Sequence, residues 1–272
     1  MRFIRDYRLT IKTGHETIKI SSPMRINFNI NKSIDGLLNG CTIKIYNLKN
    51  SSRLALVKDE DDEKYIPVSL YVGYKNKKEK AFRGNIYRGQ NARSGADIIT
   101  TIDCLDGGEM LNAFISETIT KNDYIIEPIL KSLTNIGKGK INKRQNLLRP
   151  KVLVGNPIDI LNSMTLETEK WYIDNEQLNI IDVRQVTSYF IPPVNAKNGL
   201  IETPSKQEQR ITFKILINPT ITIGRLVNLS STTAPNLNGI YKIYNIVYNG
   251  DSYGSEWTQT CSGYLNSDYE VI

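Results

Sequence analysis

Between Tyr7 and Cys104 apolar and polar side chains alternate in period two over one segment after another, and this constrains the fold more than any other feature. Successive residues of a strand point to opposite faces, so such runs describe half-buried antiparallel strands. Leu9 and Ile11, then Ile18 and Ile20, then Ile26, Phe28 and Ile30 fall on one face. Arg8, Thr10, Lys12, Lys19, Arg25, Asn27 and Asn29 fall on the other. The pattern returns in Cys41, Ile43 and Ile45, in Val68, Leu70 and Val72, and in Ile98, Thr100, Ile102 and Cys104. A slip of one residue would expose the whole apolar set, so register is firmly specified. Short strands at regular spacing predict a sandwich or barrel.

One helical interruption is predicted at Asn50 to Lys58, with Ser51 or Ser52 as its cap and Leu54, Leu56 and Val57 covering the barrel rim. Val68 to Val72, a loop from Gly73 to Lys80 and Ala81 to Ile86 then form a hairpin with an exposed basic tip. From Met110 onward helical spacing replaces the alternation. Ile125, Ile129, Leu130 and Leu133 share a helical face, with Pro128 near its first turn. A second helix starts at Asn156 as cap and Pro157 as first residue, carries Ile158, Ile160, Leu161 and Met164, and runs to about Glu169. Trp171 to Ile181 is strand, polar turn, strand.

Prolines at 192, 193 and 204 mark a crossing segment before strands resume with Ile211, Phe213 and Ile215. The chain closes in a hairpin. Its first arm, Gly239 to Asp251, is rich in Tyr and Ile, Asn249-Gly250 and Asp251 to Gly254 offer turn chemistry, and the Trp257 arm returns. The expected architecture is mainly β (α+β): a β-barrel module at 1–110, a small α/β module at 111–200, and a second β-barrel module at 201–272 ending in the long hairpin.

Composition narrows the function. A mean hydropathy of −0.34 belongs to a soluble chain, and no apolar run approaches the ~20 residues that span a bilayer, so neither membrane insertion nor export is signalled. Cys41, Cys104 and Cys261 are far apart, which fits buried thiols in a reducing cytoplasm better than a disulfide framework or a zinc cluster. The net charge is +7, with basic residues concentrated in Lys75 to Lys80 and Lys138 to Lys151 and an acidic run of opposite sign at Asp59 to Glu63. Patches of opposite sign suit subunit mating.

Catalytic chemistry finds little footing. The single histidine, His15, sits in the turn Thr13 to Glu16, so there is no histidine-based metal cluster and a Ser-His-Asp arrangement would have to use a turn residue. Asp103, Asp106 and Glu109 flank Gly107 and Gly108 without the ligand order of an EF-hand, which makes them a strand-end turn. Gly137 to Lys140 lacks the spacing of a phosphate-binding loop and is expected to be a flexible loop. The basic run around Lys138, Lys140, Lys143, Arg144, Arg149 and Lys151 has no interleaved aromatics for base stacking. No catalytic residue, cofactor or metal ligand is expected.

The order of four pieces, Tyr46-Asn-Leu48, Val68 to Tyr74, Phe82 to Ile86 and Thr101 to Gly107, resembles the baseplate hub or tail-tip hub proteins of tailed bacteriophages. Pro157 to Leu161 with Trp171 to Ile181, and Gly239 to Tyr248 with Trp257, extend the resemblance over nearly the whole chain. It implies a homotrimeric ring with two tail-tube-like barrels per subunit, joining a hexameric tail tube to a trimeric spike or tip and leaving a channel for DNA ejection. The implied partners are the tail tube protein, the central spike or tip protein, other baseplate proteins and the tape measure protein, with DNA only as passing cargo. Such a chain is a virion component of the tail, assembled in the host cytoplasm. The assembly contacts expected on this basis are Lys75, Lys77, Lys78 and Lys80 on the basic hairpin, and Tyr241, Tyr244, Tyr248 and Trp257 on the closing hairpin. A tail-tip enzyme acting on cell walls, a basic nucleic-acid-binding β module and a plain monomeric β-rich binding domain are the competing classes.

Overall fold

A computed structural model describes residues 4–60, 64–75, 77–119, 126–142, 150–265 and 270–272. The N-terminal strands are β1 (Arg5–Lys12), β2 (Thr17–Ser21), β3 (Ile26–Ser33) and β4 (Gly40–Tyr46). After α1 (Asn50–Leu54) come β5 (Pro67–Tyr74), β6 (Lys77–Ser94) and β7 (Asp97–Leu105). The middle of the chain holds β8 (Ile115–Ile119), α2 (Ile126–Ser132), β9 (Gly137–Ile141), β10 (Lys151–Gly155), α3 (Pro157–Met164), β11 (Glu169–Ile173) and β12 (Gln177–Asp182). The last part holds β13 (Gln185–Val186), β14 (Pro193–Val194), β15 (Ser205–Gln207) and β16 (Arg210–Leu216). β17 (Leu226–Leu229), β18 (Gly239–Asp251), β19 (Trp257–Leu265) and β20 (Glu270–Val271) complete it.

The protein is mainly β, and its two flanks are one sheet. Thirteen strands are joined in the order β15-β16-β19-β18-β3-β4-β7-β6-β5-β1-β2, with β14 and β17 attached beside β18. The junction is β18, whose residues Asn245 to Asp251 pair with Ser33 to Asn27 of β3 while Gly239 to Lys242 pair with β17. β19 covers its other edge. Alternation places the predicted apolar residues inside: Leu9, Ile11, Ile20, Phe28, Ile30, Val68 and Val72 are buried, and one apolar core runs from them to Phe213, Ile246 and Trp257. A smaller core, around Met110, Ile129, Leu161, Trp171 and Leu178, belongs to the middle segment. Among the described residues no helix is long and apolar enough to cross a membrane.

Several local expectations are corrected. α1 has no side-chain cap, and of its expected covering residues only Leu56 is buried, whereas Leu54 and Val57 face solvent. The hairpin after β5 turns at Lys75, so Lys77, Lys78 and Lys80 are strand residues rather than loop residues. Alternation continuing to Tyr74 and resuming at Lys77 leaves too few residues for a long loop. α3 is capped as expected, with Asn156 Oδ1 accepting from Ile158 N at 2.8 Å, but it stops at Met164. Thr165 leaves the helix, and Glu169 already opens β11. Gly137 to Lys140 is not a loop: it lies in β9, parallel to β12. Asn249 and Gly250 lie inside β18, where a Cβ on Gly250 would overlap the Phe28 ring. Close approach, not reversal, requires that glycine. Ile125, Lys143, Arg144 and Arg149, and Asp61 to Glu63 of the acidic run, lie outside the described residues.

Candidate assembly interface

The closing hairpin is fixed at its turn by charge and by an aromatic anchor. Arg5 of β1 donates to the carbonyls of Asp251 at 2.9 Å and Ser255 at 2.8 Å, and also to that of Gly254. Arg25 pairs with Asp251 at 2.8 Å. Burial pushes the Asp251 carboxyl up, but the Arg25 hydrogen bond and the backbone N–H groups of Tyr253 and Gly254 outweigh it and hold the carboxyl below its usual range. Trp257 lies edge-on to Phe28 with ring centroids 5.3 Å apart, and its Nε1–H donates to Gly73 O at 3.2 Å. That bond ties β19 to the end of β5.

The two regions expected to make assembly contacts therefore meet, although about 180 residues separate them in sequence. The Lys75 turn, Lys77 and the segment Ile217 to Thr220 rim a hollow of about 280 Å³ beside Gly73. Lys75 and Lys77 are exposed, Lys78 is half-buried and paired with Asp6, and Lys80 is half-buried on the outer face of β6. Trp257 and Tyr248 are 1% exposed, and Tyr248 OH donates to Ile221 O at 3.1 Å, so both side chains are consumed by the chain's own core. Tyr241 is likewise buried, with its OH on Leu237 O at 2.9 Å.

The far end of the hairpin presents a different surface. Tyr244 stacks on Tyr264 with centroids 4.5 Å apart, and the Arg210 guanidinium lies 5.5 Å and 5.7 Å from the two rings. Arg over stacked tyrosines is the composition that anchors protein interfaces. Beside it runs β15, a three-residue edge strand whose residues are all exposed, and a hollow of about 320 Å³ lies between Lys206, Arg210, Tyr241 and Leu265. At ~3.3 Å per residue the long arm of the hairpin separates this end from the Lys75 end by roughly 30 Å.

A buried polar group that period-two reading overlooked joins the sheet to the middle segment. Lys32, 1% exposed, donates to Asp174 at 2.5 Å. Asp106 is fully buried and accepts the backbone N–H groups of Asn175 at 2.5 Å and Glu176 at 2.6 Å, both held at positive φ in the β11–β12 turn. Burial pushes the Asp106 carboxyl up to about 8, against the pull of Lys32. At the other end of β12, Lys242 donates to the carbonyls of Asp182 at 3.1 Å and Val183 at 2.8 Å, and burial lowers its pKa to about 8. Two buried lysines thus hold both ends of the β11–β12 hairpin. His15 lies in an exposed turn, and among the described residues no group of three His, Cys, Asp or Glu side chains is placed to hold a metal ion.

One mostly antiparallel sheet thus runs through both flanks and carries distinct surfaces at the two ends of its closing hairpin. The fold is shared with a 43 kDa tail protein of prophage MuSo2 from Shewanella oneidensis, at 9% identity over 95% of this chain and 96% of that one, with a TM-score of 0.66. It is shared with a tail protein from Neisseria meningitidis MC58, at 8% identity over 97% and 98% of the two chains, with a TM-score of 0.59. A third relative in fold is the E. coli c3393 protein, a type VI secretion component described as similar to the T4 bacteriophage tail proteins gp27 and gp5. It is 8% identical over 94% of this chain and 77% of that one, with a TM-score of 0.62. A sequence comparison with curated proteins finds no match. The model of the Baseplate hub gp41 family matches residues 7–263, and the chain belongs to that family. It is a structural component of a bacteriophage tail baseplate.

Proposed function

We propose that the chain is a hub subunit that closes into a homotrimeric ring at the distal end of the tail tube. The ring adapts a hexameric tube to a trimeric central spike or tip and leaves a channel through which DNA leaves the particle. In this reading residues 1–110 and 201–272 supply two tube-like barrels around the α/β segment 111–200, so three chains present six barrels to the tube. The subunit is assembled in the host cytoplasm, contacts other baseplate proteins and the tape measure protein, and carries no enzymatic activity.

The observation that carries the reading is the pair of sheet ends. Among the described residues β2 and β15 end the main path of one sheet, and each offers an edge that no described strand covers. Free edges invite pairing, and a closed ring of identical subunits consumes them. The contacts then include the Lys75 turn with Lys77 and Lys78 at one end and Tyr244 with Arg210 and Tyr264 at the other, with Tyr241, Tyr248 and Trp257 supporting the surface from within, while Lys80 stays on the outer face of β6.

Light scattering across protein concentration tests the ring. A mass near three times 30.9 kDa is expected. A monomer at every concentration, persisting after tube and spike proteins are added, overturns it. Release of cell-wall fragments by the purified protein would instead support an enzyme.

A further inference from the structure

We propose that the outward face of β2, β1, β5 and β6 binds the phosphate backbone of double-stranded DNA without reading its sequence. This deepens the channel reading and rests on it for the place of the face in the particle. The register arranges the face as a grid: Arg8 lies beside Tyr71, which lies beside Lys80, while Lys19 lies beside Thr10, which lies beside Ser69. Lys12 continues the outward side of β1. A groove of about 560 Å³ runs over these residues.

Four of the cations are uncompensated. Among the described residues Arg8, Lys12, Lys19 and Lys80 have no carboxylate within ion-pair distance, whereas Arg83 on the same face is taken by Glu176. Hydroxyls of Thr10, Ser69 and Tyr71 fill the spaces between them. Arg and Lys mixed with Ser, Thr and Tyr hydroxyls is the donor set that contacts phosphate and sugar. A protein partner would want an apolar or aromatic anchor at the centre, and lysine and serine are depleted from such interfaces. Here the central ring, Tyr71, is already covered by the Arg8 guanidinium at 4.4 Å. The face therefore suits a polyanion of evenly spaced charge better than a folded partner. Four contacts also give weak, strongly screened binding, which lets a duplex slide rather than lodge.

Anisotropy of a short fluorescent duplex, titrated with purified protein at several salt concentrations, tests the proposal. Four phosphate contacts predict a slope of log K against log salt of about −3.6, an affinity loss of about 150-fold between roughly 50 and 200 mM salt. The double variant Lys12→Glu with Lys19→Glu should reduce the slope to about −1.8 and that loss to about 12-fold. Lys44→Glu with Lys197→Glu, of equal net charge but elsewhere on the surface, should leave the slope unchanged. Both sets are at exposed positions, and matching melting curves confirm that they fold. Absence of binding at low salt, or equal effects of the two sets, overturns the assignment. Displacement of the duplex by poly-glutamate at equal charge concentration also overturns it and makes the face a dock for acidic protein. Light scattering on the same samples separates this inference from the ring: a monomer that binds DNA with this slope removes only the trimer, and a trimer without binding removes only the DNA face.

Discussion

If β18 makes the two flanks one cooperative body, truncating Trp257 should weaken both together. Trp257→Ala removes a fully buried indole, its edge-on contact with Phe28 and its hydrogen bond to Gly73 on β5. The ring pair is worth about 0.5–1.5 kcal/mol and the hydrogen bond about 1 kcal/mol, and with the cavity the loss for an aromatic-to-alanine change is about 3–5 kcal/mol. Against a typical total of about 5–15 kcal/mol this is a large fraction. With a denaturant slope near the upper end of ~1–3 kcal/mol/M, a loss of about 4 kcal/mol moves the urea midpoint down by about 1.3 M. The chain has two tryptophans, so in the variant Trp171 is the sole indole and its fluorescence reports the middle segment, while far-UV circular dichroism reports the sheet. The two probes should give one coincident transition in both proteins. A midpoint shift corresponding to less than about 1 kcal/mol, or a sheet transition that splits with only part of its amplitude displaced, would refute the single-core account.

Gly250→Ala forces a methyl into the Phe28 ring and should cost about 1–3 kcal/mol by thermal melting, with partial recovery when Phe28→Leu is added. Stability should pass through a minimum near pH 8. Asp106, raised from 3.8 to about 8, binds more protons folded than unfolded between those values, so stability falls as pH climbs through that window. Lys242, lowered from 10.5 to about 8, binds more protons unfolded between pH 8 and 10.5, so stability rises there. Urea titrations across pH should show Asp106→Asn flattening the acid side alone, and Lys242→Met the alkaline side alone. Arg210→Ala, on the surface over Tyr244 and Tyr264, should change the melting temperature little yet weaken self-association measured by sedimentation; unchanged association would remove that cluster from the interface.

The strands were legible because burial writes itself into every second residue. Leu9, Ile11, Phe28 and Ile30 could be assigned an inward face without knowing what they packed against, and Asn156-Pro157 marked a helix start by local chemistry alone. What escaped was long-range. Nothing near Asn245 says that it pairs with Ser33, since strand pairing between segments 212 residues apart leaves no local trace. The end of α3 escaped because Leu166 and Glu169 are compatible with another helical turn, and strand pairing of Glu169 with Asp182 decides otherwise. The contact residues were half legible. Tyrosines and Trp257 mark a half-wet hairpin, but only packing distinguishes Tyr244, left at the surface, from Tyr248, spent inside. Lys32 did leave a signal, because it falls in phase with Ile26, Phe28 and Ile30 and so had to be buried, and a buried lysine demands a carboxylate partner.

β18 has a mechanical consequence. Its hydrogen bonds to β3, β17 and β19 run across a strand whose two ends carry the two exposed surfaces. A pull between those ends acts along the strand, so the bonds on both edges are loaded together in shear instead of one after another as in unzipping. A subunit built this way yields least along the axis of β18.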